Sequence, residues 1–461
     1  MAILSAYAFP HPPLAVPGVG RGEETGIKAT LSAFDEAAGE IAALAPETIV
    51  FITPHNVIYS DYFHISPGRG ARGDFSRFNA SGVRFEAEYD AGLAGEITRL
   101  AEKSGLPAGG LGEKDARLDH GVMVPMWFIN RRYQRYKAVR ISQSGMGSPE
   151  HYRLGQCIAE AADKTGRRTV LAASGDLSHK LSADGPYGLS PEGAEFDKTV
   201  AAALSSADFL SLMTIPENLR EYAAECGYNS LMVLAGCFDR RKVSARLYSY
   251  EGPFGVGYAV AGFAPGEPDP GRDFLEQYMG VVLGRARESQ GSEDCYRSLA
   301  RRSLEFYVKN GRMLPLPGDL PGELLNARAG VFVSLHKSGR LRGCIGTIAP
   351  TADSIAQEII QNAVSAGMND TRFEPVRASE LPFLTYKVDV LSSPEAISGP
   401  DELDVKRYGV IVTSGHRRGL LLPDLDGVDT VDRQIAIARD KGGIPGDAPV
   451  RLERFEVIRH E

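Results

Sequence analysis

Over the first 263 residues, short apolar or β-branched runs alternate with longer amphipathic stretches, and this alternation restricts the fold more than any other feature of the chain. The pattern is typical of sheet proteins built from βαβ units. The predicted strands are residues 2–9, 48–53, 136–142, 168–173, 242–250 and 256–263. The predicted helices are residues 24–44, 90–104, 150–164 and 192–213, the last interrupted at Ser205-Ser206. We therefore predict an α/β fold for this region.

A chain of 461 residues is longer than one core usually supports, so two domains are expected. Residues 264–274 hold three prolines and two glycines, a composition typical of a linker. We predict a first domain at 1–265, a linker and connecting helix at 266–290, and a second domain at 291–461. The second domain is predicted to contain the helix Cys295–Asn310 and strands at 330–335, 384–391 and 409–412.

Composition excludes several classes of protein. The net charge is -8 and the basic residues are scattered, so no nucleic-acid partner is expected. Five cysteines without any C-x-x-C spacing indicate a reducing compartment, and we expect a cytoplasmic protein. The amino terminus lacks the basic leader of a signal peptide. The longest apolar stretch, Leu231–Phe238, is far shorter than the roughly 20 residues that cross a bilayer, so no membrane association is expected.

Three histidines lie just past the carboxyl ends of predicted strands: His11, His55 and His179. Loops at that edge of an open α/β sheet converge on the crevice where ligands bind. Prolines beside His11 and His55 stiffen two of the loops, as metal coordination requires. One such histidine alone more often bonds loop backbone. Three in corresponding positions predict a metal site.

A fourth histidine, His120, follows Asp119, which either orients the imidazole or caps a helix. Glu225 and Cys226 are the candidates for a third metal ligand. They lie in a predicted corner between two helices, and Gly227 is predicted to end the first of these helices. We favour Glu225, because two histidines and one carboxylate form the facial triad of non-heme Fe(II) oxygenases. Cys226 is the rival, and its thiolate would shift the site toward copper or zinc.

These motifs stand in matching order in a known family. His11-Pro-Pro, Thr53-Pro-His55-Asn, Leu118-Asp-His120-Gly, Ser174-Gly-Asp-Leu-Ser-His179 and Glu225-Cys226-Gly227 resemble the class III extradiol dioxygenase B-subunit (LigB-type) superfamily and its Memo-like branch. The resemblance covers about residues 1–265 and implies a mixed sheet flanked by helices. It implies His11 and His55 as iron ligands, His179 as the catalytic acid/base, and His120 and Asp176 as further active-site groups. Extradiol dioxygenases complete the ligand set with a glutamate, and Memo-like proteins place a cysteine at this corner.

The second domain carries the sequence Arg342-Gly343-Cys344-Ile345-Gly346, preceded by a predicted hairpin turn at Ser338-Gly339. Its glycines permit close backbone approach, Arg342 could bind an anion, and Cys344 is either a functional thiol or a buried residue of a tight strand. Together with Asn369-Asp-Thr-Arg372-Phe, this motif resembles the AMMECR-type family, which implies a smaller α+β domain. The candidate site here is Arg342, Cys344 and Arg372.

The tandem arrangement resembles proteins of AmmeMemoRadiSam systems, which implies a radical SAM protein as a partner. We expect a non-heme Fe(II)-dependent oxidoreductase that incorporates dioxygen into a catechol-like or similarly chelating substrate. One alternative is a Memo-like metal-binding or redox module with Cys226 as ligand, which works with the radical SAM partner without ring cleavage. Another is a zinc hydrolase with His179 as base. Substrate identity and homo-oligomer formation stay open.

Overall fold

The computed structural model describes residues 2–112, 117–185, 187–337, 340–378, 380–425 and 427–461. Backbone contacts divide the chain into two compact units, the first ending at Met279 and the second beginning at Gly280. In the described part of the chain, no helix is both long and apolar enough to span a bilayer.

The first unit alternates strands and helices. Its strands are β1 (Ile3–Phe9), β2 (Thr48–Thr53), β3 (Phe63–His64), β4 (Gly70–Phe75), β5 (Ala80–Glu88), β6 (Ala108–Gly109), β7 (Lys137–Ser142), β8 (Thr169–Ser174), β9 (Arg241–Glu251) and β10 (Tyr258–Pro268). Its helices are α1 (Pro17–Gly20), α2 (Lys28–Leu44), α3 (Ala91–Lys103), α4 (His120–Asn130), α5 (Ser148–Thr165), α6 (Pro191–Ser206), α7 (Phe209–Met213), α8 (Glu217–Ala223) and α9 (Tyr228–Gly236). Helix α10 (Phe274–Gly291) follows.

The central sheet of this unit has the order β7-β2-β8-β1-β10-β9. Strands β7, β2, β8 and β1 are parallel, and β10 and β9 add antiparallel strands at one edge. Strands β2 and β8 are buried along their whole length, because helices cover both faces of a parallel sheet. The structure confirms the predicted mixed α/β architecture.

Two hydrophobic cores lie on opposite faces of the sheet. On one face, α3, α5, α6 and α9 pack around residues such as Ile52, Ile158 and Met232. On the other, α2 and α4 pack around Phe34 and Phe51. The hairpin β4–β5, which is absent from the predicted elements, adds to this second core. Its sequence is polar and rich in glycine, and only Phe75, Phe85 and a few neighbours point inward, so the apolar alternation typical of a strand is absent.

The segment predicted to be a linker is structured over much of its length. Strand β10 continues to Pro268, which pairs with Arg241 of β9, and a short 3-10 turn at Pro270–Arg272 leads into α10. Phe274 is buried in the core of the first unit. Proline has no backbone N–H, so it is tolerated at strand positions that donate no hydrogen bond to a neighbouring strand. A proline-rich composition is therefore compatible with the end of an antiparallel hairpin as well as with a linker.

The second unit combines helices with small antiparallel sheets. Its helices are α11 (Cys295–Asn310), α12 (Gly322–Asn326), α13 (Ile355–Met368) and α14 (Val431–Lys441). Its strands are β11 (Gly330–Lys337), β12 (Arg340–Gly346), β13 (Leu384–Leu391), β14 (Glu395–Ile397), β15 (Gly409–Ser414), β16 (Arg417–Leu421), β17 (Arg451–Phe455) and β18 (Val457–His460). They form the sheets β12-β11-β13-β18 and β14-β17-β15-β16, which confirms a separate, smaller α+β domain.

Candidate metal centre

Three neighbouring strands end at one edge of the central sheet and carry the predicted histidines there. Strands β2, β8 and β1 are adjacent, and Phe9 of β1 lies level with Ser174 of β8. His11, His55 and His179 follow these three strand ends. The parallel arrangement brings loops that are distant in sequence into one crevice, as expected for an open sheet of this kind.

His11 is held in a single tautomer. The Ser174 hydroxyl donates to the carbonyl oxygen of Gly121 at 2.5 Å, so Ser174 Oγ accepts from His11 Nδ1–H at 3.0 Å. The other ring nitrogen, Nε2, therefore carries a lone pair that faces the crevice. The side chain is buried, which, with the nearby His55 and His179, lowers the pKa of His11 well below its ordinary value. A neutral imidazole with a fixed lone pair is what a metal ligand requires.

Two further ligand atoms lie beside this nitrogen. His55 Nε2 is 2.9 Å from His11 Nε2, and Cys226 Sγ is 3.6 Å from it. All three atoms lie within 4.8 Å of one another, a spacing that a single ion could bridge. Behind His55, its backbone N–H donates to Thr53 Oγ1, and the Thr53 hydroxyl donates to Asp119 at 2.6 Å. The loop of His55 is thus fixed from behind.

Cys226 lies in the turn between α8 and α9. The backbone N–H of Asp176 donates to Cys226 Sγ at 3.3 Å, which directs the sulfur toward the histidines. Burial raises the pKa of the Cys226 thiol well above its ordinary value, and the charge of Asp176 adds to this. A divalent cation would reverse the effect, because a coordinating thiol loses its proton.

Glu225 was expected to complete the ligand set, and its side chain lies elsewhere. Its carboxylate accepts the backbone N–H of Tyr228 at 2.7 Å, at the amino end of α9. Burial raises the pKa of Glu225 to about 7, with the Tyr228 bond and Arg220 opposing this. Free N–H groups at a helix start attract a carboxylate, so Glu225 caps α9 while its neighbour faces the histidines. The residue that ends α8 is Ala224, with φ 52°, and not Gly227 as the sequence suggested.

His179 and Asp176 lie next to the three ligand atoms. His179 Nδ1–H donates to the carbonyl oxygen of Ala224 at 2.6 Å, so Nε2 is the nitrogen available to exchange a proton. Asp176 Oδ1 accepts the backbone N–H of His11 at 2.8 Å, and Oδ2 is 3.8 Å from His11 Nε2. Burial raises the pKa of Asp176, although the His11 bond and the nearby histidines oppose it.

His120 supports the centre from α4. Asp119 caps this helix through the N–H of Val122, which is one of the two roles that the sequence left open for Asp119, and His120 occupies the first helical position. The His120 ring stacks on that of His55 with centroids 4.1 Å apart. Burial, followed by the charges of His11 and His55, lowers the pKa of His120 to about 2. The next residue is glycine because a Cβ at Gly121 would lie 2.4 Å from Thr53 Oγ1.

A cleft of about 1040 Å³ opens beside His55 and His120. The β4–β5 hairpin contributes part of its wall, and four arginines line it: Arg72, Arg77, Arg84 and Arg117. None of these four arginines could be identified as a candidate from the sequence. Arginines scattered along a chain give no signal until the fold gathers them.

The second-unit candidates Arg342, Cys344 and Arg372 are also close together, along the edge strand β12. Asp370 accepts the Cys344 N–H at 2.9 Å and bonds the Arg372 guanidinium at 2.7 and 2.9 Å, and Arg372 donates to the Cys344 carbonyl at 3.3 Å. Arg342 donates to Glu380 at 3.1 Å. Most of these polar groups bind one another or the strand backbone.

The glycines of this motif serve close packing, as predicted. A Cβ at Gly343 would lie 2.1 Å from the carbonyl oxygen of Ala366 in α13, and one at Gly346 would lie 2.2 Å from the Phe332 ring. The predicted turn at Ser338-Gly339 falls outside the described residues.

The protein thus has an α/β fold with a candidate metal centre. Two imidazoles and a thiol form this centre at the carboxyl edge of a mixed sheet. Residues 5–261 match the family described as the catalytic LigB subunit of aromatic ring-opening dioxygenase, and the chain belongs to this family. Residues 297–460 match the AMMECR1 family, which confirms the fused two-domain architecture.

Relatives of the whole chain and of parts of it are known. A protein of Clostridium acetobutylicum is 39% identical over 470 residues, covering 100% of both chains. A protein of Thermotoga maritima is 49% identical over 171 residues, covering 37% of this chain and 98% of its own. The crystal structure of an uncharacterised protein from Pyrococcus horikoshii, 33% identical, covers 36% of this chain and 88% of its own with a TM-score of 0.34.

Proposed function

We propose that the first unit is a metal-dependent oxidoreductase that acts on a small chelating substrate with dioxygen. The observation that carries this proposal is the convergence of His11 Nε2, His55 Nε2 and Cys226 Sγ within 4.8 Å of one another, at the site edge of a LigB-family fold. This donor set replaces the expected pairing of two histidines with Glu225.

The donor set fits a transition metal. His11 presents a fixed lone pair, His55 is held by the Thr53–Asp119 bonds, and Cys226 supplies the anionic ligand that balances a divalent charge. Two imidazoles and one thiolate suit iron, copper or zinc, and redox chemistry requires iron or copper. Such an ion would supply Lewis-acid and redox chemistry for a chelating substrate and dioxygen.

The surrounding residues have roles in proton transfer and positioning. His179 exchanges a proton at Nε2, because its Nδ1–H is fixed on Ala224. Asp176 orders the site by accepting the His11 N–H and directing its own N–H at Cys226. His120 stays neutral beside His55 and faces the cleft where a substrate ring would lie.

Two alternative functions are compatible with this centre, and a specific observation favours each of them. Membership of a family of ring-opening dioxygenases, with His179 beside the ligands, favours extradiol ring cleavage. The cysteine candidate favours the Memo-like alternative, a metal-binding or redox module that works with a radical SAM partner without ring cleavage. The two differ in where oxygen atoms end up.

The test is metal analysis followed by product analysis. Protein purified anaerobically should retain iron or copper near one ion per chain, measured by mass spectrometry of the elements. Incubation with a catechol and ¹⁸O₂ should then give a product with both labelled atoms for ring cleavage, or an unlabelled dehydrogenated product for simple oxidation. A protein that holds only zinc and consumes no dioxygen would refute the proposal in favour of hydrolysis.

A further inference from the structure

We infer that Asp197, a buried residue of α6, positions His179 for proton transfer by holding the loop that carries this histidine. This segment, residues 175–180, is the His179 loop. Tyr250 of β9 fixes the Asp197 carboxylate in turn. The proton transfer rests on the proposed function, because that function assigns the proton to His179. The positioning rests only on contacts within the first unit.

The Asp197 carboxylate lies between the His179 loop and β9. Its side chain is fully buried. Oδ1 accepts the backbone N–H of Ser178, the residue before His179, at 2.7 Å. Oδ2 accepts the Tyr250 hydroxyl at 2.8 Å. Both oxygens of the carboxylate therefore have a donor, and one of these donors belongs to the loop backbone.

Helix α6 presents one face to this loop. Gly193 and Asp197 are four residues apart and so lie on the same side of the helix. A Cβ at Gly193 would lie 2.5 Å from Ser178 Oγ and 2.9 Å from the carbonyl oxygen of Lys180. The backbone of the helix thus touches the loop one turn before Asp197 bonds it, with no room for a side chain between them.

The residue before β10 closes the other side of the loop. The Gly257 N–H donates to the carbonyl oxygen of Ser178 at 2.8 Å, and the Gly257 carbonyl oxygen accepts the N–H of Leu177 at 2.9 Å. A Cβ at Gly257 would lie 1.9 Å from Asp197 Oδ2. The chain therefore requires glycine where it passes directly over the carboxylate.

These contacts fix the residue that precedes His179. The backbone N–H of Ser178 is bonded to Asp197 and its carbonyl to Gly257, while its hydroxyl donates to the Ala223 carbonyl at 3.0 Å. His179 continues this set, because its own backbone N–H donates to the same carbonyl at 3.0 Å. A displacement of Ser178 would therefore move His179 Nε2, and proton transfer tolerates only small errors in position.

The fold keeps a negative charge where a neutral side chain would be more stable. Among the described residues, no lysine or arginine forms an ion pair with Asp197. Two titratable groups of the described chain face it, Tyr250 from β9 and Glu225 from the turn after α8, and the adjoining α7 and β10 contribute none. Burial raises the pKa of Asp197 to about 7, although the bonds from Ser178 and Tyr250 oppose this. Asparagine would offer the Ser178 N–H the same acceptor at a lower desolvation cost, so the charge itself points to a functional role.

Protonation of Asp197 changes the bonds that hold the loop. The ionised carboxylate accepts from both Ser178 and Tyr250, whereas a carboxylic acid has one O–H that needs an acceptor of its own. Burial and the charge of Asp197 raise the pKa of Tyr250, so this phenol keeps its proton and must turn to accept that O–H. The loop is therefore held by two oriented acceptors above about pH 7 and less firmly below it.

The experiment removes the charge and keeps the acceptor. Asp197→Asn in the full-length protein should retain metal, because none of the three candidate ligands bonds Asp197. With catechol as substrate, kcat for oxygen consumption at about pH 8, where Asp197 is ionised, should fall about tenfold with KM unchanged, as a displacement well under 1 Å would give. At about pH 5.5, where Asp197 is protonated in the wild type, the ratio of wild-type to variant kcat should approach one.

Tyr250→Phe supplies a second variant. Loss of the phenol removes one of the two bonds that favour the ionised carboxylate, so the pKa of Asp197 should rise. The fall in kcat with decreasing pH should then begin about one pH unit higher than in the wild type, which corresponds to one hydrogen bond. An unshifted profile would refute the role of Tyr250.

The position of His179 can be measured without turnover. In protein labelled with ¹⁵N at histidine, the Nδ1–H of His179 should give a proton signal moved downfield by its 2.6 Å bond to Ala224, assigned by its loss in His179→Ala. Asp197→Asn should shift or broaden this signal, while the Nδ1–H signal of His11 stays in place. The matched control is Glu195→Gln, which removes an exposed acid of the same helix and should leave both signals and kcat as in the wild type.

Removal of the charge should also stabilise the fold. A buried carboxyl with a raised pKa contributes stability that is present below its unfolded pKa of 3.8 and is lost as the pH rises through about 7. The urea midpoint of Asp197→Asn, followed by Trp127 fluorescence, should therefore exceed that of the wild type by a margin that grows over this range. A lower midpoint at about pH 8 would contradict a charge kept at the expense of stability and would overturn the inference.

The two proposals fail separately. A His179 signal that Asp197→Asn leaves unchanged, or a wild-type kcat of that variant at about pH 8, would overturn the inference even in an active oxidoreductase. A shifted His179 signal in a protein that consumes no dioxygen would refute the proposed function and support the positioning role alone.

Discussion

At the carboxyl edge of the first sheet, His11 and His55 turn their ring nitrogens toward each other at 2.9 Å, with the Cys226 sulfur beside them. In the second unit, Arg372 and Asp370 bind each other and the backbone of Cys344. Both clusters come from specific motifs. The first directs two ring nitrogens and a thiol at one another beside a cleft, whereas the second uses most of its donors and acceptors to fix an edge strand.

A motif of polar residues can therefore serve either a ligand site or the structure of a strand. In a ligand site, each side chain is fixed by one hydrogen bond and keeps a second atom for the ligand, as Ser174 fixes Nδ1 of His11 and leaves Nε2. An edge strand needs its exposed backbone groups covered, and Asp370 and Arg372 cover those of Cys344. Within the described residues, the second cluster is therefore bonded mainly to itself and to the edge strand, and a chemical role for Arg342, Cys344 and Arg372 stays a prediction.

Removal of the candidate ligands one at a time should have the largest effect on the centre. His11→Ala, His55→Ala and Cys226→Ala should each empty the centre, because losing one ligand of three removes a large part of a binding free energy on the order of 10 kcal/mol. Glu225→Ala and His179→Ala should retain the metal, and His179→Ala should lose turnover. Metal per chain after anaerobic purification is the measurement. If Cys226→Ala retains the metal and Glu225→Ala loses it, the third ligand is the Glu225 carboxylate and not the Cys226 thiolate.

A truncation tests whether the first unit carries its site alone. A chain ending at Met279 should fold and bind metal, whereas one ending at residue 265 should be less stable by about 3 kcal/mol, because it loses the buried Phe274 and the last pairing of β10. Urea unfolding followed by the fluorescence of Trp127, the single tryptophan, measures both. Equal stability of the two chains would show that the β10 extension contributes nothing.

The second cluster should respond to substitution with lost stability. Asp370→Ala leaves the Cys344 N–H and the Arg372 guanidinium without their acceptor and should destabilise the second unit by about 2 kcal/mol. Far-UV circular dichroism in urea should show this shift, while the Trp127 transition of the first unit stays unchanged. Cys344→Ser serves as control with a smaller effect. A functional site would show the reverse, with stability preserved in Asp370→Ala.

The smallest expected effect is a pH dependence from Glu380. Burial opposes its ionisation, but bonds from Arg342, the Arg377 N–H and Lys337 outweigh this and lower its pKa from 4.5 to about 2. A carboxyl with a lowered pKa stabilises the fold above its unfolded pKa, and this is lost as pH falls from about 4.5 through 2. Glu380→Gln should flatten the stability profile over that range.

The exposed Glu374 offers the matched substitution for this measurement. Arg342 contacts its backbone carbonyl, so Glu374→Gln keeps that bond and should leave the pH profile as in the wild type. An equal flattening in both variants would mean that the acid sensitivity of the second unit does not come from Glu380.

Much of the fold could be predicted because apolar periodicity reports burial. All six strands of the central sheet coincide with predicted runs to within a few residues, apart from the extension of β10. The hairpin β4–β5 was not predicted, since its strands alternate charged residues and glycine with few buried side chains. The metal-site histidines could be located because they follow strands whose ends must share one edge.

The α/β class, the three histidines at strand ends and the close-packing glycines could be inferred from the sequence alone, because local periodicity and backbone chemistry control these features. Which of Glu225 and Cys226 faces the histidines, in contrast, depends on the folded turn. Adjacent side chains in a turn point in different directions, and the start of α9 attracts one while the Asp176 N–H directs the other. The same holds for the arginine-lined cleft and for the closed cluster around Cys344, since charges far apart in sequence acquire their partners only when the chain folds.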